Sequence, residues 1–411
     1  DMYLEKQFLF DSIYLKNPKL KLNGDRQTKI VYEANTKSFY ESLGHFIDKV
    51  KAIGVKDLVL EDLSLSIKNK YMKRMDHIGL ESFDLHIHDF YVDYNEFNKM
   101  DRFLFSDNTE LDLKDYFQSI NNGERLIYFK EAKGSTQENR LQISDMQILS
   151  LGDSISFPAN IRVKDILLND LKMSPGQVQP RLFIGSLLLE QADLDLKKNT
   201  KKPNKNKTFS LEDLDLFKII KGQFSALSIN RIELADFNFS LPIKIKENSK
   251  IYDFKNIDLA LEGIVIDSNN VAFTNDRFFY CDDVRLKLPE FSMISPDQFY
   301  NYSFENMSLS SRDKSIRFDS IMVVSRYDRK TFLANQTHQT DQLDMTIPIL
   351  NLEGIDYKEA VFRNRYTLEK LQFQSPQIFI YKDKSIAPDT TKYKQMPAQA
   401  LKSLRFYLNI D

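Results

Sequence analysis

The chain is short of the residues that build disulfide cages, cradle phosphates or cross membranes. Cys281 is the single cysteine among 411 residues, which excludes an intrachain disulfide framework and a thiolate metal cage and leaves the redox compartment open. No window approaches the eighteen or more apolar residues of a membrane-spanning helix, and the amino end lacks the basic, apolar and cleavage regions of a signal peptide. A formal net charge of -2 removes the concentrated Lys and Arg excess that phosphate neutralisation needs, so DNA and RNA are not expected partners. Neither GxGxxG after a strand nor GxxxxGK[ST] occurs, and no Ser, His and Asp set carries a family signature; the chain is read as a non-enzyme with no cofactor. Glycine is scarce at 12 residues, so turns are expected to use Asn23-Gly24, Asn121-Asn122-Gly123 and Asn269-Asn270, residue types that tolerate left-handed backbone.

What the chain does have is internal repetition. RFLFSDNTELDL from Arg102 answers to RFFYCDDVRLKL from Arg277, an offset of about 175 residues. VKDLVLEDLSLSI from Val55 answers to INRIELADFNFSL from Ile229, and LQISDMQI from Leu141 to IRFDSIMV from Ile316. FDSIYLKNPKLKL from Phe10, IGSLLLEQADLDL from Ile184 and LEKLQFQSPQIFI from Leu368 follow the same thirteen-residue template. The apolar places alternate with period two, which puts them on one face of a strand. A doubled pair inside each template, such as Glu61-Asp62 or Ala235-Asp236, shifts the parity by one, so a bulge or sharp bend must restore the face. The pattern predicts a mainly β fold: a long, strongly curved antiparallel sheet of roughly twenty strands with a few short amphipathic helices. Residues 1–35 read as the end of one repeat, 36–207 and 208–390 as full repeats, and 391–411 as the start of another, within a longer protein.

Helices are expected from Thr36 to Ile53, within LEDLDLFKIIKG from Leu211, and from Pro397 to Leu404, the first two leading into a template. DLKDYFQSI from Asp112 reads as a further short helix. The basic run Lys197–Lys207 reads as an exposed linker. His86 and His88 share one face of a strand with Asp84 and Asp89 nearby, a spacing that can start a metal site; with Leu85 and Ile87 on the opposite face, the histidines are read as the solvent side and no metal is assigned.

The repeated strand templates, the amphipathic lead-in helices and the RFLFSDNTELDL and FDSIYLKNPKLKL segments together resemble the AsmA-like superfamily of repetitive bacterial envelope proteins, and the Lys, Asn, Ile and Phe richness suggests a Bacteroidota source. The resemblance implies a taco-like sheet lined with apolar side chains. It further implies a periplasmic location, an inner-membrane anchor outside this segment, and the transport or organisation of phospholipid or another acyl-chain lipid between the inner and outer membranes. Residues expected to line such a groove are Ile13, Leu15, Leu20, Leu22, Leu58, Leu60, Leu63, Leu65, Ile232, Leu234, Phe237 and Phe239. Burial is worth roughly 0.8 kcal/mol per methylene, so a covered apolar groove removes most of the cost of carrying an acyl chain through water. Roughly twenty strands about 4.8 Å apart would stack to roughly 100 Å. The same alternation also suits a sheet that fills its own apolar face, or a scaffold that binds envelope proteins through exposed strand edges and aromatic stretches such as DFYVDYNEF.

Overall fold

The computed structural model describes residues 7–26, 47, 50–71, 74–99, 102, 105–120, 123–151, 159–174, 180–196, 217–220, 224–245, 248–269, 277, 280–295, 297–363, 365–388 and 407–410. It divides into two compact units, residues 1–239 with 261–282, and residues 240–260 with 283–411.

The first unit holds β1 (Gln7–Lys16), β2 (Lys19–Arg26), β3 (Ala52–Glu61), β4 (Ser64–Tyr71), β5 (Arg74–Leu80), β6 (Ser82–Asp93) and α1 (Tyr94–Lys99). It continues through β7 (Asn108–Ile120), β8 (Arg125–Ser135), β9 (Arg140–Ser150), β10 (Ala159–Asn169), β11 (Lys172–Ser174), β12 (Arg181–Leu196) and α2 (Phe217–Ile220). Two long strands, β13 (Ala226–Ile245) and β14 (Asn248–Asp267), contribute to both units. The second unit adds β15 (Asp283–Ile294), β16 (Tyr300–Ser310), β17 (Ser315–Ser325), α3 (Arg329–Ala334), β18 (Asp341–Glu353) and α4 (Tyr357–Arg363). It ends with β19 (Arg365–Leu368), β20 (Lys370–Gln374), β21 (Gln377–Lys382) and β22 (Tyr407–Ile410).

The fold is mainly β, as the alternation predicts, with one 20-stranded sheet that does not close into a barrel. Most neighbours are antiparallel, but β1 pairs with β3 and β2 with β4 in parallel, so the sheet is mixed. Ser225 N–H donates to Pro180 O and Asn238 Nδ2 to Asp193 Oδ1, both with a separation of 45 residues. A constant separation is what parallel strands require, and the register Gln7↔Ala52 between β1 and β3 repeats it. The two-stranded β19–β22 sheet is parallel as well. Parallel neighbours need a crossover of a dozen or more residues. The stretches expected to hold the lead-in helices lie in these connections.

Every template copy carries a non-glycine residue with left-handed φ at its eighth place: Asn17 (51°), Asp62 (54°), Gln191 (50°), Asp236 (54°) and Ser375 (45°). The expected bend is therefore a single left-handed residue, a conformation that Asn and Asp tolerate better than most types. Neighbouring strands interrupt their pairing at the same level. Registers pass from Lys114↔Glu131 to Tyr116↔Phe129, from Ser144↔Asp165 to Met146↔Val163, and from Asp165↔Glu190 to Val163↔Ala192. Asp115 and Asp145 are left-handed at this seam. Because each strand of these pairs leaves one residue unpaired, the register is preserved across the seam, unlike a bulge with an extra residue on one side. In the second unit Pro289 and Pro348 occupy seam positions opposite left-handed Asn306 and Ser320, where a missing N–H costs no ladder bond.

Three sequence expectations are corrected. Asn23-Gly24 lies within β2 rather than in a turn, paired as Asn23↔Lys68 and Gly24↔Asn69; a Cβ on Gly24 would sit 2.6 Å from Asn69 Oδ1, so glycine serves close strand approach. DLKDYFQSI is strand, not helix: it lies in β7, where Tyr116 stacks on Phe129 of β8 with ring centroids 4.7 Å apart, and left-handed Asp115 breaks any helical run. Ala52 and Ile53 belong to β3, so the first lead-in helix does not reach Ile53. Residues 27–46, the linker 197–207 and residues 397–404 lie outside the described residues, and of LEDLDLFKIIKG only Phe217–Ile220 is described, as helix.

The repeat extends to individual hydrogen bonds. Asn108 Oδ1 accepts from Ser135 Oγ, Thr136 Oγ1 and Gln137 N, and Asp283 Oδ1 accepts from Ser310 Oγ, Ser311 Oγ and Arg312 N. Arg102 pairs with Asp107 and donates to Tyr91 O, while Arg277 pairs with Asp282 and donates to Gly263 O. Between each pair sits a buried aromatic with left-handed φ, Phe105 or Tyr280. The RFLFSD and RFFYCD motifs are thus clasps between one bent strand and the next.

Burial by itself would raise the Asp283 carboxyl, but the Arg312 N–H, the Arg285 guanidinium and the Ser311 hydroxyl outweigh it and hold its pKa below 3.8. A depressed folded-state pKa adds stability that is present at neutral pH and is lost as pH falls through that value. Asp283→Ala should cost about 1–3 kcal/mol in urea unfolding at pH 7. Asp283→Asn should cost less, since Asn108 fills the equivalent place, and should flatten the loss of stability below about pH 4. Asp236→Val should destabilise by about 1–2 kcal/mol through its left-handed backbone, whereas Asp236→Gly should be near neutral.

Candidate apolar binding face

The seam brings apolar residues from its two sides onto one face. Val163, Ile166 and Ala192 form a buried cluster with Ile143, Leu168, Leu187 and Leu189 from one side of the seam and Met146, Ile161 and Phe237 from the other. Parity has shifted between the two sets, yet they share a face.

The cross-strand registers then assemble rows that no local segment contains. Leu15↔Leu60, Leu60↔Leu85, Leu85↔Leu111, Leu111↔Gly134, Gly134↔Leu141, Leu141↔Leu168 and Leu168↔Leu187 form one continuous row across the first unit. A Cβ on Gly134 would lie 3.1 Å from Leu141 Cδ1 and 3.4 Å from Leu111 Cγ, so these leucines close over the glycine. In the second unit, Leu286↔Leu309, Leu309↔Ile316, Ile316↔Leu352 and Leu352↔Leu371 form the repeat-equivalent row. Leu15 is 50% exposed, and the other members of both rows are half-buried. Val92, Val163 and Ile184 show the full burial that interior sheet positions reach elsewhere in this chain.

The expected groove residues take their places accordingly. Ile13 lies opposite Leu58, Leu15 opposite Leu60 and Leu20 opposite Leu65; Leu22 is opposite Ile67. Leu58, Leu63 and Leu65 are half-buried, as are Ile232, Leu234, Phe237 and Phe239, while Leu20 and Leu22 are exposed. Phe237 and Phe239 stack at 6.4 Å and Phe237 joins the cluster at β10 and β12. Leu85, Leu111, Leu141, Leu168 and Leu187 complete the row and were not among the expected residues. Each lies in an alternating segment; identifying them required the pairing of strands distant in sequence.

Among the described residues, clefts open beside these rows. One of about 700 Å³ is lined mainly from the polar face, by His86, Glu110, Asp112 and Lys133 among others, with Leu60, Leu85 and Leu111 at its floor. Another of about 760 Å³ is lined by Leu9, Phe10, Val55, Phe90 and Tyr91 with Arg102. In the second unit a cleft of about 450 Å³ is lined by Tyr252, Phe291, Phe304 and Met322 among charged residues. Phe291 stacks on Phe254 at 4.8 Å and meets Phe304 at 5.5 Å.

The opposite face is polar. Asp57 faces His88 across β3 and β6, and His86 faces Glu110 across β6 and β7. Lys133 lies 2.6 Å from Glu131 and 3.8 Å from Asp112. Its ion pairs, within β8 and across to β7, are half-exposed and worth little individually.

No family model matches the chain. No curated protein sequence matches it either. Among the described residues no helix is long and apolar enough to cross a membrane.

Half-burial predicts a graded response to truncation. Leu85→Ala should cost about 1–2 kcal/mol in chemical unfolding, below the 2–5 typical of a buried leucine, whereas Phe332→Ala, at a side chain 1% exposed, should cost about 3–5 kcal/mol.

Proposed function

We propose that this chain is the periplasmic β-groove part of an AsmA-like envelope protein, with an inner-membrane anchor supplied outside this sequence. In this reading the apolar face takes up phospholipid acyl chains and helps move or organise them between the inner and outer membranes. The observation that carries it is the pair of repeat-equivalent aliphatic rows that stay half-buried. A row of leucines left partly in water gains free energy when an apolar ligand covers it, by about 25 cal/mol per Å² of apolar surface. At a strand spacing of about 4.8 Å, the row from Leu15 to Leu187 runs about 34 Å, comparable with a bilayer's hydrocarbon core of about 30 Å. The polar opposite face would keep the sheet's other side in water.

A second reading, a scaffold that recruits an envelope protein by strand addition, is favoured by β21. Ile378, Phe379 and Ile380 on that strand are all exposed, so both of its faces present apolar side chains near a sheet edge.

Native mass spectrometry of the purified chain, with organic extraction of what travels with it, separates the two. Phospholipid retained at a defined ratio and lost in a folded Leu60→Asp/Leu234→Asp variant is the expected result. A folded wild-type chain that stays lipid-free after incubation with phospholipid vesicles would overturn the groove and favour the scaffold.

A further inference from the structure

The polar face holds a constellation that strand pairing alone creates. Asp57 stands directly opposite His88, and His86 is opposite Val59, one alternation further along the same face. Asp57 Oδ1 lies 3.0 Å from His88 Nδ1 and 3.5 Å from His86 Nε2, and the two imidazole centroids are 3.7 Å apart. One ligand atom from each residue falls within 4.8 Å of the others.

These separations suit a shared ion. Donors about 2.0–2.1 Å from a metal stand about 2.9 Å apart in octahedral and about 3.3–3.4 Å apart in tetrahedral geometry, and the 3.0 and 3.5 Å separations from Asp57 Oδ1 fall close to that range. Two imidazoles and one carboxylate form a donor set suited to zinc-class ions, less so to Mg²⁺ or Ca²⁺, which prefer all-oxygen shells. The neighbouring cation does not compete for Asp57, since Lys56 Nζ is held by Asp11 Oδ1 at 2.7 Å. Glu110 lies opposite His86 on β7 and Ser12 opposite Asp57 on β1, so further oxygen groups flank the site. The ligands sit on paired strands, which hold their spacing more firmly than a loop would.

We propose that Asp57, His86 and His88 bind one divalent transition ion of the zinc class. Without an ion, His88 Nδ1 donates to Asp57 Oδ1 at 3.0 Å; binding replaces that hydrogen bond, with His88 offering the Nδ1 lone pair and His86 the Nε2 lone pair, each ring then carrying its proton on the other nitrogen. The side chains are 52%, 36% and 37% exposed respectively. Coordination positions beyond the three protein ligands are therefore open to water or to a donor from a partner, the arrangement of an open rather than a closed structural site. The ion would tie β3 to β6 on the face opposite Leu58, Leu60, Leu85 and Ile87, so the inference stands apart from lipid binding.

The test uses the whole chain stripped with chelator and titrated with Zn²⁺ by calorimetry, followed by Co²⁺ substitution read in the visible spectrum. One saturable Zn²⁺ site per chain is expected, with affinity weakened about tenfold or more in His86→Ala and abolished in His86→Ala/His88→Ala. Co²⁺ should produce ligand-field bands that the double variant lacks. Circular dichroism checks that the variants fold; Asp57→Asn, which preserves size, should weaken binding even if the double variant proves unstable. No saturable site in the wild-type chain, or undiminished affinity in folded His86→Ala/His88→Ala or Asp57→Asn, would overturn the proposal.

Discussion

The structure depends on one backbone constraint: a left-handed residue placed where each bent strand crosses the seam. Alternation alone would send the apolar set to the opposite face after each doubled pair. Asp62 and Gln191 reverse that parity without adding a residue to only one strand, so pairing resumes in register beyond them. The packing of Ile166 and Leu189 with Val163 and Phe237 in one cluster is the consequence. Without the left-handed step, apolar side chains would be divided between two faces, and neither a core nor a binding face would form.

Two further devices build on the seam. The Arg–Asp clasps at Arg102 and Arg277 fasten one bent strand to the next, and the Asn108 and Asp283 side chains each gather the donors of a four-residue turn. Parallel pairing between the end of one repeat and the beginning of the next then demands a crossover, and the one before β13 carries the helix Phe217–Ile220. A repeat therefore consists of a bent antiparallel meander together with the crossover that leads out of it.

Much of this was legible locally. The alternation in VKDLVLEDLSLSI and INRIELADFNFSL identifies strands, and the parity shift at Glu61-Asp62 and Ala235-Asp236 identifies the bend. The short helices after β6, before β18 and before β19 also had a local signal: Asp93, Asp328 and Asp356 each accept from the backbone N–H three residues on, at Glu96, Thr331 and Glu359. Reading those Asp-x-x-Glu or Asp-x-x-Thr starts would have found them. Asn23-Gly24 misled because a turn dipeptide can also serve close approach between parallel strands. DLKDYFQSI misled because its apolar spacing fits a helix until cross-strand stacking of Tyr116 on Phe129 decides the issue.

The sequence by itself determined that the chain is β, repetitive and one-sided, because period two and its regular interruption are properties of neighbouring residues. Tertiary structure decided which strands are parallel, which leucines form a row and that Asp57 meets His86 and His88. Those outcomes depend on register between segments tens of residues apart, and a slip of one residue would exchange every face. Alternation specifies which side chains share a face; only the pairing of strands specifies which of them touch.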